Sequence, residues 1–403
     1  MQNTLRTVRS ARTASRLGPL ALTVALVAAC SSTPEPSDGS LAASSATAAS
    51  ASSSTQASSS APVPAACGAP ELATLSLREK LAQRLVVGVA DAADAKRVVA
   101  AEKIGGIFVG SWTDLTMLKD RSVAALSKSS SFPLMVTVDQ EGGRVSRLSS
   151  LGVDLPAPRK VVADGMTPAQ VRAQAKTAGQ KMKELGITVD FAPSVDVSAE
   201  PDDAVIGDRS YSDDPAKVTE YAGAFAQGLQ DAGIMPVYKH FPGHGNASGD
   251  THLGGANTAP LSQLQQLDLV PYRELLKDPG NAGVMVGHLM VPGLTAPDTP
   301  ASLSPRAMSL LRTGTKYDAP PFRGVIFTDD LSGMKAITDK YSIDQAVLRT
   351  FQAGADIGLW LTTDKVSTVL DTLEKAVADG DLNRQRIDAS VVRILRSKGV
   401  LSC

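Results

Sequence analysis

Between residues 239 and 252 the chain reads KHFPGHGNASGDTH, a stretch that holds three of its four histidines. His240 and His244 stand four apart, the spacing at which one helical face presents two metal ligands. Pro242 and Gly243 lie between them and will not hold a helix. No His-x-His pair follows the first apolar run either, so no catalytic metal is expected. Serine chemistry is no better served. The chain lacks a Gly-x-Ser-x-Gly elbow, and Ser194 and Ser210 have no evident base in sequence. Carboxylates fit the spacing better. In GVIFTDDLSGMKA, Asp329 closes an apolar run, and a carboxylate so placed can attack an electrophilic carbon and form a covalent ester. Its neighbour Asp330 is the better placed of the two to cap the next helix.

Such a nucleophile needs a partner that first donates a proton to the leaving group and then takes one from water, as in double-displacement glycoside hydrolysis. A second carboxylate often serves. A histidine can replace it, because its ordinary pKa lies near working pH, provided an adjacent carboxylate orients it and holds its proton. Asp250 and His252 offer that dyad at i and i+2. The surrounding GNASGDT is small, polar and glycine-rich, so this loop should be mobile enough to bring His252 over a bound sugar.

These groups must be positioned by the elements around them. Eight short apolar runs cover residues 85–89, 104–109, 134–139, 189–196, 235–241, 282–288, 324–330 and 356–361. They are near-continuous rather than alternating, as parallel strands buried on both faces require. Segments such as TPAQVRAQAKTAGQKMKELG and DKVSTVLDTLEKAVADG lie between them, with helical periodicity and a closing glycine. Eight strands with helical crossovers predict an α/β fold, a single (β/α)8 TIM-type barrel. An open doubly wound sheet is the alternative, but no Gly-rich phosphate fingerprint follows the first strand. Asp139, Asp196, Lys239, His240, His288, Asp329 and Asp330 all fall at or just past the ends of these runs. In a barrel that rim is where active sites are built.

The front of the chain is of another kind. Residues 1–29 read as a lipoprotein signal peptide: Arg6, Arg9, Arg12 and Arg16 precede LGPLALTVALVAA, too short for a permanent span, and VAA runs directly into Cys30. Cys30 would then become the lipidated first residue and anchor the protein to a membrane outside the cytoplasm. Residues 30–66 are almost all Ser, Ala, Thr and Pro, a disordered tether with too little apolar surface to offset its chain entropy. Residues 67–403 form the folded domain, and with Cys30 taken, Cys67 and Cys403 remain at its two ends. Outside the cytosol such a pair is expected to form a disulfide if the fold brings the ends together. The net charge of −1 and the lack of a basic stripe argue against a nucleic-acid partner.

Four blocks, VTVDQEGGRVSRL (136–148), VIGDRSYSDDP (205–215), KHFPGHGNASGDTH (239–252) and GVIFTDDLS (324–332), together resemble the glycoside hydrolase family 3 β-N-acetylglucosaminidases, the NagZ-like group, in that family's order. The resemblance spans most of the folded part. It implies one (β/α)8 domain, a retaining mechanism and no metal or other cofactor. Position by position it makes Asp329 the nucleophile, His252 the acid/base and Asp250 its dyad partner. Asp139, Arg147, Arg209, Lys239 and His240 would bind the sugar's hydroxyls and N-acetyl group, and His244 would shape the loop. Two departures stand out: Thr251 replaces the family's usual Ser between the dyad residues, and Gly333 extends the segment before Met334 by one residue, which should reshape the start of the next helix. The implied activity is an exo-β-N-acetylglucosaminidase, as a monomer, on GlcNAc-containing muropeptides of the cell wall. A β-N-acetylglucosaminide phosphorylase with the same residues, and a catalytically silent sugar-binding lipoprotein, are the alternatives.

Overall fold

The computed structural model describes residues 67–403. The expected signal peptide, Cys30 and the tether lie outside the described residues. Eight strands, β1 Leu85–Gly88, β2 Gly106–Val109, β3 Met135–Val138, β4 Val189–Asp190, β5 Met235–Phe241, β6 Gly283–Val286, β7 Ile326–Asp330 and β8 Ile357–Trp360, are buried along their whole length. Each pairs in parallel with its neighbours in the chain, and β1 pairs with β8, so the barrel closes. Closure leaves the barrel sheet without an edge strand.

The crossover helices start and stop where local chemistry dictates. Pro168–Glu184 begins with a capping box, Thr167 accepting from the Gln170 N–H while the Gln170 side chain accepts from the Thr167 N–H. Pro215–Ala232 opens with Asp214 as cap and Pro215 in its first turn, and Gly233 closes it at a φ of 80°. The amphipathic faces of these helices pack on the outside of the strands, where Ile107, Val136, Ile326 and Val347 belong to one large apolar layer. A second, smaller cluster fills the lumen with Phe108, Met135, Phe191, Val237, Met285, Phe327 and Leu359. Phe191 stacks near Phe108 at 5.9 Å and meets Phe327 edge-on at 5.3 Å between ring centroids. The lumen is therefore a plug of side chains, and chemistry is possible only above it.

Most of the apolar runs start and end within two residues of the observed strands. The run 189–196 does not: its ladder is only Val189–Asp190. Pro193 has no N–H to give. Beyond it the backbone keeps to β5 through single bonds, Val237 N to Ala192 O at 2.9 Å and Val195 N to Lys239 O at 2.7 Å. The chain ends also meet. The Cα atoms of Cys67 and Cys403 are 5.9 Å apart and the two residues are disulfide-bonded across 336 residues of sequence.

Candidate active site

Side chains alternate along a strand, so the lumen residues fix which rim residues point inward. Met135 faces the lumen on β3, and Asp139 lies four residues on, just past the strand end; Phe327 faces it on β7, and Asp329 follows two residues later. Val237 does the same for Lys239 on β5. Strict alternation would turn His240 away. The β5–β6 register shifts between Tyr238 and Phe241, and this irregularity lets Lys239 and His240 line the same cavity.

That cavity, of about 230 Å³, is lined by Asp139, Glu141, Val145, Arg147, Val205, Arg209, Lys239, His240, His244, Thr251, His252, Asp329 and Met334. A larger hollow of about 640 Å³ opens at the other end of the barrel, beside Arg84, Arg312 and Arg393. Its ionic groups serve the fold: Asp356 accepts from Arg312, Arg393, Ser390 and the Ile326 N–H.

Within the smaller cavity the charges are tied together. Lys239 Nζ lies 2.6 Å from an oxygen of Asp139 and 2.6 Å from Glu141 Oε1. Arg209 grips both oxygens of Glu141, at 2.8 Å each. Burial works against the Glu141 charge, but Arg209 and Lys239 outweigh it and hold the carboxyl far below the usual range. Burial likewise opposes the Lys239 charge, yet Asp139 and Glu141 hold its pKa above the ordinary value. Glu141 is the residue that sequence reasoning missed. It sits two positions after Asp139, between Gln140 and two glycines, and that unusual acidic spot was its only signal.

Replacing Glu141 with glutamine takes the paired carboxylate from buried Arg209 and leaves Lys239 with Asp139. The expected cost is about 3–5 kcal/mol of stability, read by denaturant unfolding, together with a raised KM. Unchanged stability and KM would show that Glu141 does not organise this wall.

His240 donates from Nδ1 to Asp196 at 2.7 Å, and its Nε2 lies 3.3 Å from the Arg209 guanidinium. Asp196 also takes the backbone N–H groups of His240 and His244 at 3.2 and 2.7 Å, fixing the turn of FPGHG. His244 thus shapes the loop through its backbone, while its buried ring also lines the cavity, 5.7 Å from that of His240. The segment between these histidines is not helical. Among the described residues no three His, Cys, Asp or Glu side chains gather as metal ligands would.

Asp329 is almost fully buried at the cavity floor. Burial penalises its charge, but His240, His288, the Asp330 N–H and Lys239 outweigh that and hold its carboxyl below the usual range. It is therefore ionised at neutral pH, as a nucleophile must be. Asp330 turns the other way and accepts from Ser332 N and Oγ at 2.8 Å and from Gly333 N at 2.7 Å. It organises the turn rather than capping a helix; Met334 holds the N-cap position of the short helix Lys335–Thr338. A Cβ on Gly333 would stand 2.5 Å from an oxygen of the Asp330 carboxylate, which would have to shift to admit it. His288 is also withdrawn from the rim: Nε2 donates to the Asp330 carbonyl and Nδ1 accepts from Ser302, both at 2.7 Å. Asp196, Asp330 and His288 support the site without lining it.

Above Asp329 the loop brings His252 to the cavity. Its Nδ1 is 2.8 Å from Asp250 Oδ1, which also accepts the His252 N–H at 2.9 Å. The loop is pinned to the segment after β7 by a bond from Ala336 N to the Thr251 carbonyl, 3.1 Å. Thr251 is buried against the cavity. Among the described residues nothing bonds to Nε2 of His252, and the side chain is 59% exposed. The structure thus places Asp139, Arg147, Arg209, Lys239, His240, His252 and Asp329 around one cavity, with Asp250 behind His252.

A parallel eight-stranded barrel that carries a buried carboxylate, a His–Asp dyad and a wall of paired cations around one cavity at its C-terminal rim has the layout of an enzyme. The chain belongs to glycosyl hydrolase family 3, whose N-terminal domain matches residues 76–397, and it is a glycoside hydrolase. It is 54% identical over 388 residues to the beta-hexosaminidase LpqI of Mycobacterium tuberculosis, covering 95% of this chain and 97% of that one. The solved M. tuberculosis LpqI structure superposes with a TM-score of 0.80 at 57% identity, over 82% of this chain and 96% of that chain. A family 3 glycosyl hydrolase of Mycobacterium smegmatis gives 0.80 at 55% identity, over 82% and 99%. A family 3 β-N-acetylglucosaminidase of Paenibacillus sp. gives 0.72 at 30%, over 81% and 63%.

Proposed function

We propose that this protein is a retaining exo-β-N-acetylglucosaminidase that removes terminal β-linked GlcNAc from peptidoglycan fragments. The observation that carries the reading is the shared cavity: Asp329 lies at its floor, His252 at its mouth and Asp139, Lys239 and Arg209 along its wall. Its volume of about 230 Å³ falls below the ~300–1,000 Å³ typical of pockets for larger ligands. That suits a single terminal sugar rather than a chain threaded through.

In the first step an oxygen of Asp329 attacks the anomeric carbon while protonated His252 gives its Nε2 proton to the departing oxygen. The bond to the leaving group breaks and an ester to Asp329 forms. Asp250, bonded to Nδ1, holds the imidazole in the orientation that aims Nε2 at that oxygen and stabilises its charge. Neutral His252 then takes a proton from water, which attacks the same carbon and frees Asp329. Two inversions give net retention. Asp139, Lys239, Arg209, Arg147 and His240 fix the sugar's hydroxyls and acetamido group, charge-assisted bonds that orient a small polar ligand.

A beta-hexosaminidase relative at 54% identity supports the sugar type. The cell-wall substrate rests on the lipoprotein-like front of the chain, which would anchor the barrel through lipidated Cys30 outside the cytoplasm, at the end of a long tether.

The test is release of the chromophore from an aryl GlcNAc β-glycoside with and without phosphate. Phosphate-independent release of free GlcNAc is expected. Sugar 1-phosphate formed only with phosphate would make the enzyme a phosphorylase, and no turnover in either buffer would leave a binding protein.

A further inference from the structure

Among the described residues, two large apolar side chains stand exposed, Trp112 at 47% and Leu253 at 75%. Both belong to loops at the C-terminal ends of barrel strands, the end that carries the cavity. Leu253 directly follows His252, and its N–H bonds the Asp250 carbonyl at 2.9 Å. Trp112 follows β2. Val109 on β2 pairs with Val138 on β3, so Gly110 and Asp139 come next side by side, with strands about 4.8 Å apart. The indole lies so close over Gly110 that a side chain there would collide with its six-membered ring. Its position is supported by Phe108 at 6.0 Å between centroids. The loop is also tied down: Thr113 Oγ1 donates to Val89 O at 2.7 Å and accepts from Gly110 N at 3.0 Å. This is a held, exposed indole one residue column from a wall of the cavity.

The cavity's polar lining comes from β5, β7 and the segments after β3, β4 and β5, and none from those after β1, β2, β6 or β8. If the terminal sugar spends its hydroxyls on that lining, the group beyond the cleaved oxygen must leave the cavity past His252. Leu253, beside His252, and Trp112, one strand over from Asp139, are the exposed large apolar side chains among the described residues, and both stand at that end of the barrel. A pyranose ring has an apolar face as well as polar edges, and an aromatic face is its natural partner in water.

We propose that Trp112, with Leu253 as the apolar contact on the dyad loop, binds the sugar on the leaving-group side of the scissile bond. The proposal rests on the hydrolase reading above and adds to it a determinant for the leaving sugar.

The two tryptophans of the chain make the test direct. Trp360 is buried at 1% exposure, so a surface ligand reports through Trp112. In the Asp329→Asn variant, the β-1,4-linked GlcNAc disaccharide should shift or quench indole emission, whereas GlcNAc alone should leave it unchanged. No response to the disaccharide, or an equal response to GlcNAc, overturns the assignment. Kinetically, Trp112→Ala should raise KM for the disaccharide about tenfold and leave kcat nearly unchanged. Methyl GlcNAc β-glycoside, whose leaving group has no ring, should be affected less than about twofold. Trp112→Phe should restore most of the loss. Equal effects on the two substrates, or none on either, would also overturn it. Failure of the wild-type enzyme to hydrolyse both substrates would instead indict the hydrolase reading, and the fluorescence titration would still decide the role of Trp112.

Discussion

Asp329→Ala is expected to lower kcat on a GlcNAc β-glycoside by about 10⁴-fold or more while leaving a folded barrel. The reason is positional. Asp329 is the carboxylate that the lumen pattern of β7 turns into the cavity, and its neighbours keep it ionised there. Among the described residues its side chain accepts one hydrogen bond, from the Asp330 N–H at 2.9 Å, so truncation should cost only about 1–2 kcal/mol of stability. Alanine also leaves room for a small anion. Added azide should restore part of the turnover and give the α-glycosyl azide, because a single displacement inverts where two retain. Near-normal activity, or a β-azide product, would rule out Asp329 as nucleophile. Circular dichroism on the same sample separates lost chemistry from lost fold.

The second large effect is expected at His252, and it depends on the leaving group. With a sugar leaving group, which needs its proton, His252→Ala should lose about 10²–10⁴-fold in kcat/KM. With a dinitrophenyl glycoside, which leaves unaided, the first step should survive. Loss of the base then slows hydrolysis of the ester to Asp329, so a burst of phenol followed by slow turnover is expected. Equal losses on both substrates would argue that His252 has no acid role. The substitution should be structurally mild, since among the described residues the exposed ring bonds to Asp250 alone. Asp250→Asn should show the same leaving-group dependence with a smaller loss.

How far the site could be read from the chain alone varies residue by residue. The His252–Asp250 contact is local, two residues apart, and backbone geometry of a tight turn is enough to make it. The eight apolar runs were legible because parallel barrel strands are covered on both faces, so their sequence shows no alternation. Run 189–196 misled for the same reason: Phe191, Val195 and Val197 are buried although the ladder has ended, and apolar content reports burial rather than pairing. Asp196, His288 and Asp330 read as rim residues and sit at the ends of the right runs. Their direction was set by partners elsewhere, His240, Ser302 and the turn at Gly333.

By itself the sequence determined the fold class, the closing glycines of the long helices and the Asp250–His252 contact. Each of these depends on neighbours a few residues away or on a periodic pattern. Only the tertiary structure decided which strand ends face one another. Glu141 meets Arg209 across 68 residues, and Lys239 meets Asp139 across 100. Barrel closure, strand alternation and the β5 irregularity bring them into contact, and no local signal encodes that. Burial then fixes the charge states, because Asp329, Glu141 and Lys239 take their pKa directions from groups that become neighbours only when the barrel closes.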